Sequence, residues 1–185
     1  MNYIGITPFD IANGPGIRVT LWVSGCRCKC YNCQNPETWD FSAGKLFDDN
    51  AEEELFEALD HPWIQGLTIS GGHPLEIENM LWVWMLVREV KEKFPDKDIW
   101  LYTGLTISYD FFTFDEKVSM FPKIFKYCDV IVDGPFIDGE KDLTLRFRGS
   151  KNQRLIDVKE TLRQEKIVTL PEKEIIHGQL TDYTI

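Results

Sequence analysis

The sequence predicts an α/β fold built on a parallel sheet, and three observations predict it. Short runs rich in β-branched and aromatic residues alternate with longer amphipathic ones. The chain's 185 residues, 43% hydrophobic and 13% aromatic, can bury one substantial core but not two. Neither an internal repeat nor a low-complexity linker divides them, so a single domain over 1–185 is expected.

The elements follow in order. IRVTLWVS (17–24) reads as a buried strand. DDNAEEELFEALD (48–60) reads as a helix, with Asp49 and Asn50 as cap candidates, acidic residues in its first turn, and Leu55, Phe56 and Leu59 on one face. GLTIS (66–70) is a second strand. LEIENMLWVWMLVREVKEKF (75–94) is a long helix, apolar early, that ends in Lys91 and Lys93 and stops before Pro95. IWLYT (99–103) is a third strand. A weaker helix covers about 115–127 and is interrupted or kinked at Pro122. DVIVD (129–133) is a fourth strand, and a short strand and helix follow near 154–164. Strands separated by helices imply parallel pairing with right-handed crossovers, and ligands gather at the carboxyl ends of such strands. The chemically distinctive residues fall there. VSGCRCKCYNCQNPETW (23–39) follows the first strand, SGGHP (70–74) the second, Thr103-Gly104 the third and Asp133-Gly134 the fourth, so all four face one rim.

Charge and hydropathy exclude several classes. A formal net charge of -10 repels a phosphate backbone, so no nucleic-acid partner is expected. One basic cluster, Arg146, Arg148, Lys151 and Arg154 in LRFRGSKNQR, is either a solvated loop or a ligand or partner site. No apolar run approaches the roughly 20 residues of a spanning helix, and MNYIGITPFD lacks a basic-then-apolar signal pattern. A cytoplasmic protein with no membrane partner is therefore expected. In a reducing compartment, closely spaced thiols serve as metal ligands or redox groups more often than as structural disulfides.

Four of the five cysteines lie within eight residues, and Cys26, Cys30 and Cys33 have the spacing C-x3-C-x2-C. Thiolates are the usual ligands of iron-sulfur clusters. Three of them leave one corner of a four-iron cube open, which marks a site that does chemistry, as at catalytic zinc. Zinc held by all four thiols, in a non-catalytic interaction module, is the competing reading, although C-x-C-x-C is cramped for three successive ligands of one small ion. A Cys30/Cys33 redox pair leaves Cys26 unexplained. Cys28 reads as a bystander thiol and Cys128 as core packing.

C-x3-C-x2-C after the first strand of a parallel α/β domain resembles the radical S-adenosylmethionine (SAM) superfamily. NGPGIR (13–18), VSGC (23–26), CQNPETW (33–39), SGG-x-PL (70–75), YTG (102–104), VDGPF (132–136) and RGSKNQR (148–154) are together similar to its glycyl radical activases, those of anaerobic ribonucleoside-triphosphate reductases. The similarity runs from about residue 3 to about residue 158. It implies an open, partial (β/α) barrel with its core over about 3–164 and a C-terminal extension at 165–185. It further implies that Cys26, Cys30 and Cys33 bind a [4Fe-4S] cluster whose fourth iron is chelated by SAM. One electron, from a low-potential donor such as flavodoxin, then cleaves the sulfonium to methionine and a 5'-deoxyadenosyl radical. That radical takes hydrogen from a glycine Cα of the partner reductase. A different glycyl radical activase or a deazapurine synthase is the alternative within the superfamily, and RGSKNQR argues against both.

The resemblance assigns further cofactor-binding residues. Asn32, Cys33 and Gln34 meet the adenine of SAM through their backbone. Gly71 and Gly72 allow close approach of a ligand. His73 stands where the family carries an acidic residue facing the methionine amino group. Losing a charged partner there costs roughly tenfold to a hundredfold in affinity, so SAM binding is expected to be weaker but retained. Thr103 and Asp133 line the methionine and ribose side or cap strand ends, and Arg148 pairs with the SAM carboxylate or with the partner protein.

Overall fold

In a computed structural model that describes residues 1–171, the strands are β1 (Asn2–Asp10), β2 (Ile17–Val23), β3 (Lys45–Leu46), β4 (Ile64–Gly71), β5 (Asp98–Tyr102), β6 (Val130–Asp133) and β7 (Arg154–Asp157). They join one sheet in the order β3-β1-β2-β4-β5-β6-β7. The middle is parallel, as expected: β2, β4, β5 and β6 pair in sequence order, with Val19 opposite Leu67, Leu67 opposite Ile99 and Leu101 opposite Ile131. The edges are not. β1 and β3 on one side and β7 on the other run antiparallel, so the sheet is mixed and not wholly parallel. β1 is missing from the sequence reading because Gly5 and Pro8 dilute its strand signal.

The helices are α1 (Asp49–Leu59), α2 (Ile77–Lys93), α3 (Asp110–Thr113), α4 (Phe121–Phe125) and α5 (Val158–Gln164). Side chains of a strand alternate between faces, and here the two faces differ in chemistry. Val19, Leu21, Leu67, Ile69, Ile99, Leu101 and Ile131 form one core with Leu55 and Leu59 of α1, Val83, Leu86, Val87 and Val90 of α2, and Ile124 and Phe125 of α4. The intervening positions carry Arg18, Thr20, Thr68 and Ser70 together with Trp100 and Val132, and these are buried too.

Arg18 has no exposed surface. It donates to Thr68 Oγ1 (2.9 Å), Leu67 O (2.9 Å) and Pro15 O (3.3 Å), lies 2.5 Å from Asp98 Oδ1, and sits over the Trp100 ring. Thr68 in turn donates to Asn13 O. The polar half of NGPGIR is thus folded onto the sheet through one guanidinium.

Two helix expectations change. The N-cap of α1 is Asp48, whose side chain accepts from the Ala51 N–H, one residue before the candidates Asp49 and Asn50. In place of one kinked helix over 115–127 there is the one-turn helix α3 and, after a break, α4, which begins beside Pro122; proline opens α4 because its missing N–H costs nothing in the first turn. α2 starts later than residue 75 because Pro74 and Leu75 still belong to the turn after β4, and it ends as expected in Lys91 and Lys93 before Pro95. The strand and helix near 154–164 appear as β7 and α5. Of the expected extension, residues 168–170 return along β7, with the Leu170 N–H donating to Leu155 O; residues 172–185 lie outside the described residues. Among the described residues no helix is long and apolar enough to cross a membrane.

Candidate active site

The cysteine segment leaves β2 and returns on itself. Gly25 N–H donates to Thr38 O (2.8 Å) and Cys26 N–H to Trp39 O (3.1 Å), which ties its two ends into a neck. Gly25 has φ +93°, and a Cβ there would lie 2.2 Å from the Phe41 ring, so only glycine fits. Behind the neck, Ser24 N–H donates to Asn2 O and Phe47 N–H to Met1 O, so the start of β1 braces it. Within the segment Cys33 N–H donates to Cys30 O, and Lys29 and Asn32 take positive φ, which turns the chain tightly enough to aim successive thiols inward.

The glycine pair after β4 presses against this neck. Gly72 N–H donates to Val23 O and His73 N–H to Gly25 O, both at 2.8 Å, and a Cβ on Gly72 would lie 2.7 Å from Gly25 O. The close approach inferred for a ligand is thus first an approach of backbone to backbone. Asn79 of α2 donates its amide to Ser24 O and His73 O, fastening the same junction to a helix.

The four strand ends enclose one cleft that opens to solvent. Cys26, Cys30, Cys33, Gln34, Gly71, Gly72, His73 and Thr103 line it, together with Gly104, Gly134 and Gly149. Cys28, read as a bystander, faces the same space, and its sulfur lies so close to Gly104 that a Cβ there would be 2.5 Å away. Three predicted residues stand elsewhere. Asn32 is exposed on the loop's outer turn. Asp133 is buried behind the wall, accepting from the Arg154 guanidinium and from Ile107 N–H. Arg148 donates to Gln153 O.

RGSKNQR is bonded mostly to itself and its neighbours. Gln153 Oε1 accepts from the N–H groups of Gly149 (2.8 Å) and Ser150 (3.1 Å) while its Nε2 donates to Gly134 O (3.1 Å). Asn152 donates to Pro135 O, and Gly149 abuts Phe136 and Gln34. The motif therefore shapes the cleft wall next to the third cysteine.

The thiols are not equivalent. The Cys28 thiol bonds to Cys26 and, with the N–H groups of Cys28 and Lys29, outweighs burial to lower the Cys26 thiol to about 6; the same bond raises Cys28. Burial raises Cys30. Asn35 N–H points at Cys33 Sγ from 3.4 Å. Among the described residues, no three His, Cys, Asp or Glu side chains converge closely enough to hold a single ion. Thiols set around a space, with backbone N–H groups aimed at sulfur, suit a polynuclear cluster better than one zinc.

Sequence reasoning missed Glu76. Its carboxylate, nearly buried, accepts from Arg27 N–H (2.7 Å) and Arg27 Nη1 (2.6 Å) and lies 3.5 Å from His73 Nδ1; His73 Nε2 is 2.7 Å from Thr103 Oγ1. A His and a Glu three apart at a helix start was the available signal.

The parallel strands at the centre of the sheet gather cysteine sulfurs in one cleft at their carboxyl ends, and residues 12–156 match the model of the 4Fe-4S single cluster domain family, to which the chain belongs. More particularly, it is 44% identical over 158 residues to the anaerobic ribonucleoside-triphosphate reductase-activating protein of Haemophilus influenzae, covering 83% of this chain and 96% of that one. The protein of that name from Enterobacteria phage T4 is 45% identical over 157 residues (84% and 93%), and that of Escherichia coli K12 38% over 155 (83% and 96%).

Proposed function

We propose that this chain activates an anaerobic ribonucleoside-triphosphate reductase by generating a glycyl radical on it. The observation that carries the reading is the meeting of Cys26, Cys30 and Cys33 with the ends of β4, β5 and β6 in one open cleft. Its relatives' names supply the partner. Cys26, Cys30 and Cys33 would hold a [4Fe-4S] cluster, leaving one iron for SAM. Bound there, the cluster would supply the single electron that reductive cleavage of the SAM sulfonium requires.

The chain's own residues hold and orient. Gly71 and Gly72 keep that side of the cleft free of side chains, His73 and Thr103 offer polar atoms, and Gln34 with the backbone of Asn32 and Cys33 flanks the adenine. Asp133, through Arg154, and Arg148, through Gln153, hold the wall to which these groups are attached. Helices on one face of four parallel strands support reading the sheet as an open, partial (β/α) barrel of the radical SAM type, whose uncovered mouth admits a protein loop. A low-potential donor such as flavodoxin and a cytoplasmic setting complete the reading.

The test is anaerobic reconstitution with iron and sulfide, then SAM and a strong reductant with and without the reductase. The expected products are 5'-deoxyadenosine and a glycyl radical signal on the reductase. Deoxyadenosine without that signal would keep the chemistry and discard the partner; a colourless zinc protein would discard both.

A further inference from the structure

A cluster held by Cys26, Cys30 and Cys33 leaves one sulfur of the cleft unused. It belongs to Cys28, which is exposed, faces the same space and bonds through its thiol to Cys26. This sulfur lies against Gly104, just past β5, where the lack of a side chain makes room for it: a Cβ there would stand 2.5 Å away. Cys28 therefore reaches from the cysteine loop to the wall that carries Gly71, Gly72, His73 and Thr103, the side of the cleft assigned above to SAM.

Such a cluster also leaves one iron without a protein ligand, and until SAM arrives that iron takes the best donor within reach. Thiolate is the usual ligand in iron-sulfur clusters and, being soft, is preferred there over water. Attachment two residues from Cys26 gives the Cys28 thiol a high effective concentration around the cluster. Rival donors are few. None of the described residues lining the cleft is Asp or Glu, and the ring nitrogens of His73 are engaged with Thr103 Oγ1 (2.7 Å) and Glu76 Oε1 (3.5 Å). The Tyr102 hydroxyl donates to Phe147 O.

We propose that Cys28 is a displaceable fourth ligand: its thiolate holds the open iron of the resting cluster and gives way to SAM. This rests on the cluster and SAM reading. In the exchange the bond from iron to the Cys28 sulfur breaks and the thiolate takes a proton from solvent. Bonds from the same iron to the amino nitrogen and a carboxylate oxygen of SAM form in its place, and no electron is transferred. The consequence is protection, since an iron that lacks a protein ligand is the one an oxidant strips first.

The experiment compares wild type with Cys28→Ala, both full chains reconstituted anaerobically, freed of SAM and small thiols, and matched in iron content. Brief ferricyanide treatment, followed by iron analysis and electron paramagnetic resonance, reads whether one iron leaves to give a three-iron cluster. Wild type should keep its iron, the variant should lose one, and added SAM should protect the variant. Equilibrium binding of SAM gives a second reading, because a ligand that must displace an internal one loses affinity by the fraction of molecules in which its site is free. If Cys28 holds the iron in about nine molecules of ten, the variant should bind SAM about tenfold more tightly. Equal iron loss or equal affinity in the two proteins overturns the proposal. Should Cys28→Ala fail to load its cluster, wild type alone decides: iodoacetamide labelling of Cys28, read from the mass of its peptide, should be slow without SAM and quicken when SAM is added. A bystander thiol would be open without SAM and shielded by it, so labelling that SAM slows or leaves unchanged overturns the proposal. If wild type forms no cluster or binds no SAM, the reading beneath the proposal fails; if it does both and matches the variant, only the role of Cys28 fails.

Discussion

Replacing Arg18 with methionine should unfold the protein well below the wild-type temperature. Methionine fills the stem of the side chain but returns none of its bonds. Thr68 Oγ1, Leu67 O and Pro15 O would each lose a donor, and Asp98, 8% exposed, would keep only the Gln65 amide. Breaking a buried ion pair from one side costs about 3–5 kcal/mol, because the surviving charge stays desolvated. For a chain of this size each kcal/mol moves the midpoint by about 2–4 °C, so a fall of about 6–20 °C is expected. Thermal unfolding followed by circular dichroism, at matched iron content, measures it. Adding Asp98→Asn to the variant should recover part of the loss, since the stranded charge is then gone. A fall of under about 3 °C, or no recovery in the double variant, would refute the claim that this guanidinium is the tie between the NGPGIR turn and the sheet.

Gln153→Ala should cost about 3 kcal/mol in urea unfolding, since Gly149 N–H, Ser150 N–H and Gly134 O each lose a partner at about 1 kcal/mol. Gly72→Ala should lower iron incorporation, because its methyl would meet Gly25 O at 2.7 Å and push the neck of the cysteine loop aside; iron per chain after reconstitution reads this out. Cys28→Ser should still load four irons and cleave SAM, whereas serine at Cys26, Cys30 or Cys33 should abolish both. Asp10→Asn should flatten the acid limb of stability. Burial pushes this carboxyl up, but hydrogen bonds from Thr20, Ala12 N–H and Asn13 more than offset it, so its native pKa lies below the ordinary 3.8. The stabilisation is complete above that ordinary value and is lost as pH falls through the native one, so wild type should lose more stability than the variant in acid titration below about pH 4.

The parallel centre of the sheet was legible because IRVTLWVS, GLTIS, IWLYT and DVIVD are compact, β-rich and separated by amphipathic runs. Their spacing alone brought the cysteines, the glycine pair and Thr103 to one rim, where the structure has them. Strand direction at the edges was not legible. Nothing in Arg154–Asp157 distinguishes an antiparallel partner of β6 from a parallel one, and β3 is two residues long. Side-chain direction was not legible either. Asp133 ends its strand at the rim, but the Arg154 guanidinium, 21 residues on, draws its carboxylate behind the wall. Glu76 escaped notice because a carboxylate at a helix start has an ordinary reading in the helix dipole, and its charged partner Arg27, 49 residues away, lies in a loop that only the folded chain brings to it.

The brace behind the cysteine loop has a practical side. Met1 and Asn2 supply the carbonyls that hold Phe47 and Ser24, two residues before Cys26. A purification handle fused ahead of Met1 would begin beside the cysteine segment, and removing the first two residues would take away two carbonyls that brace it.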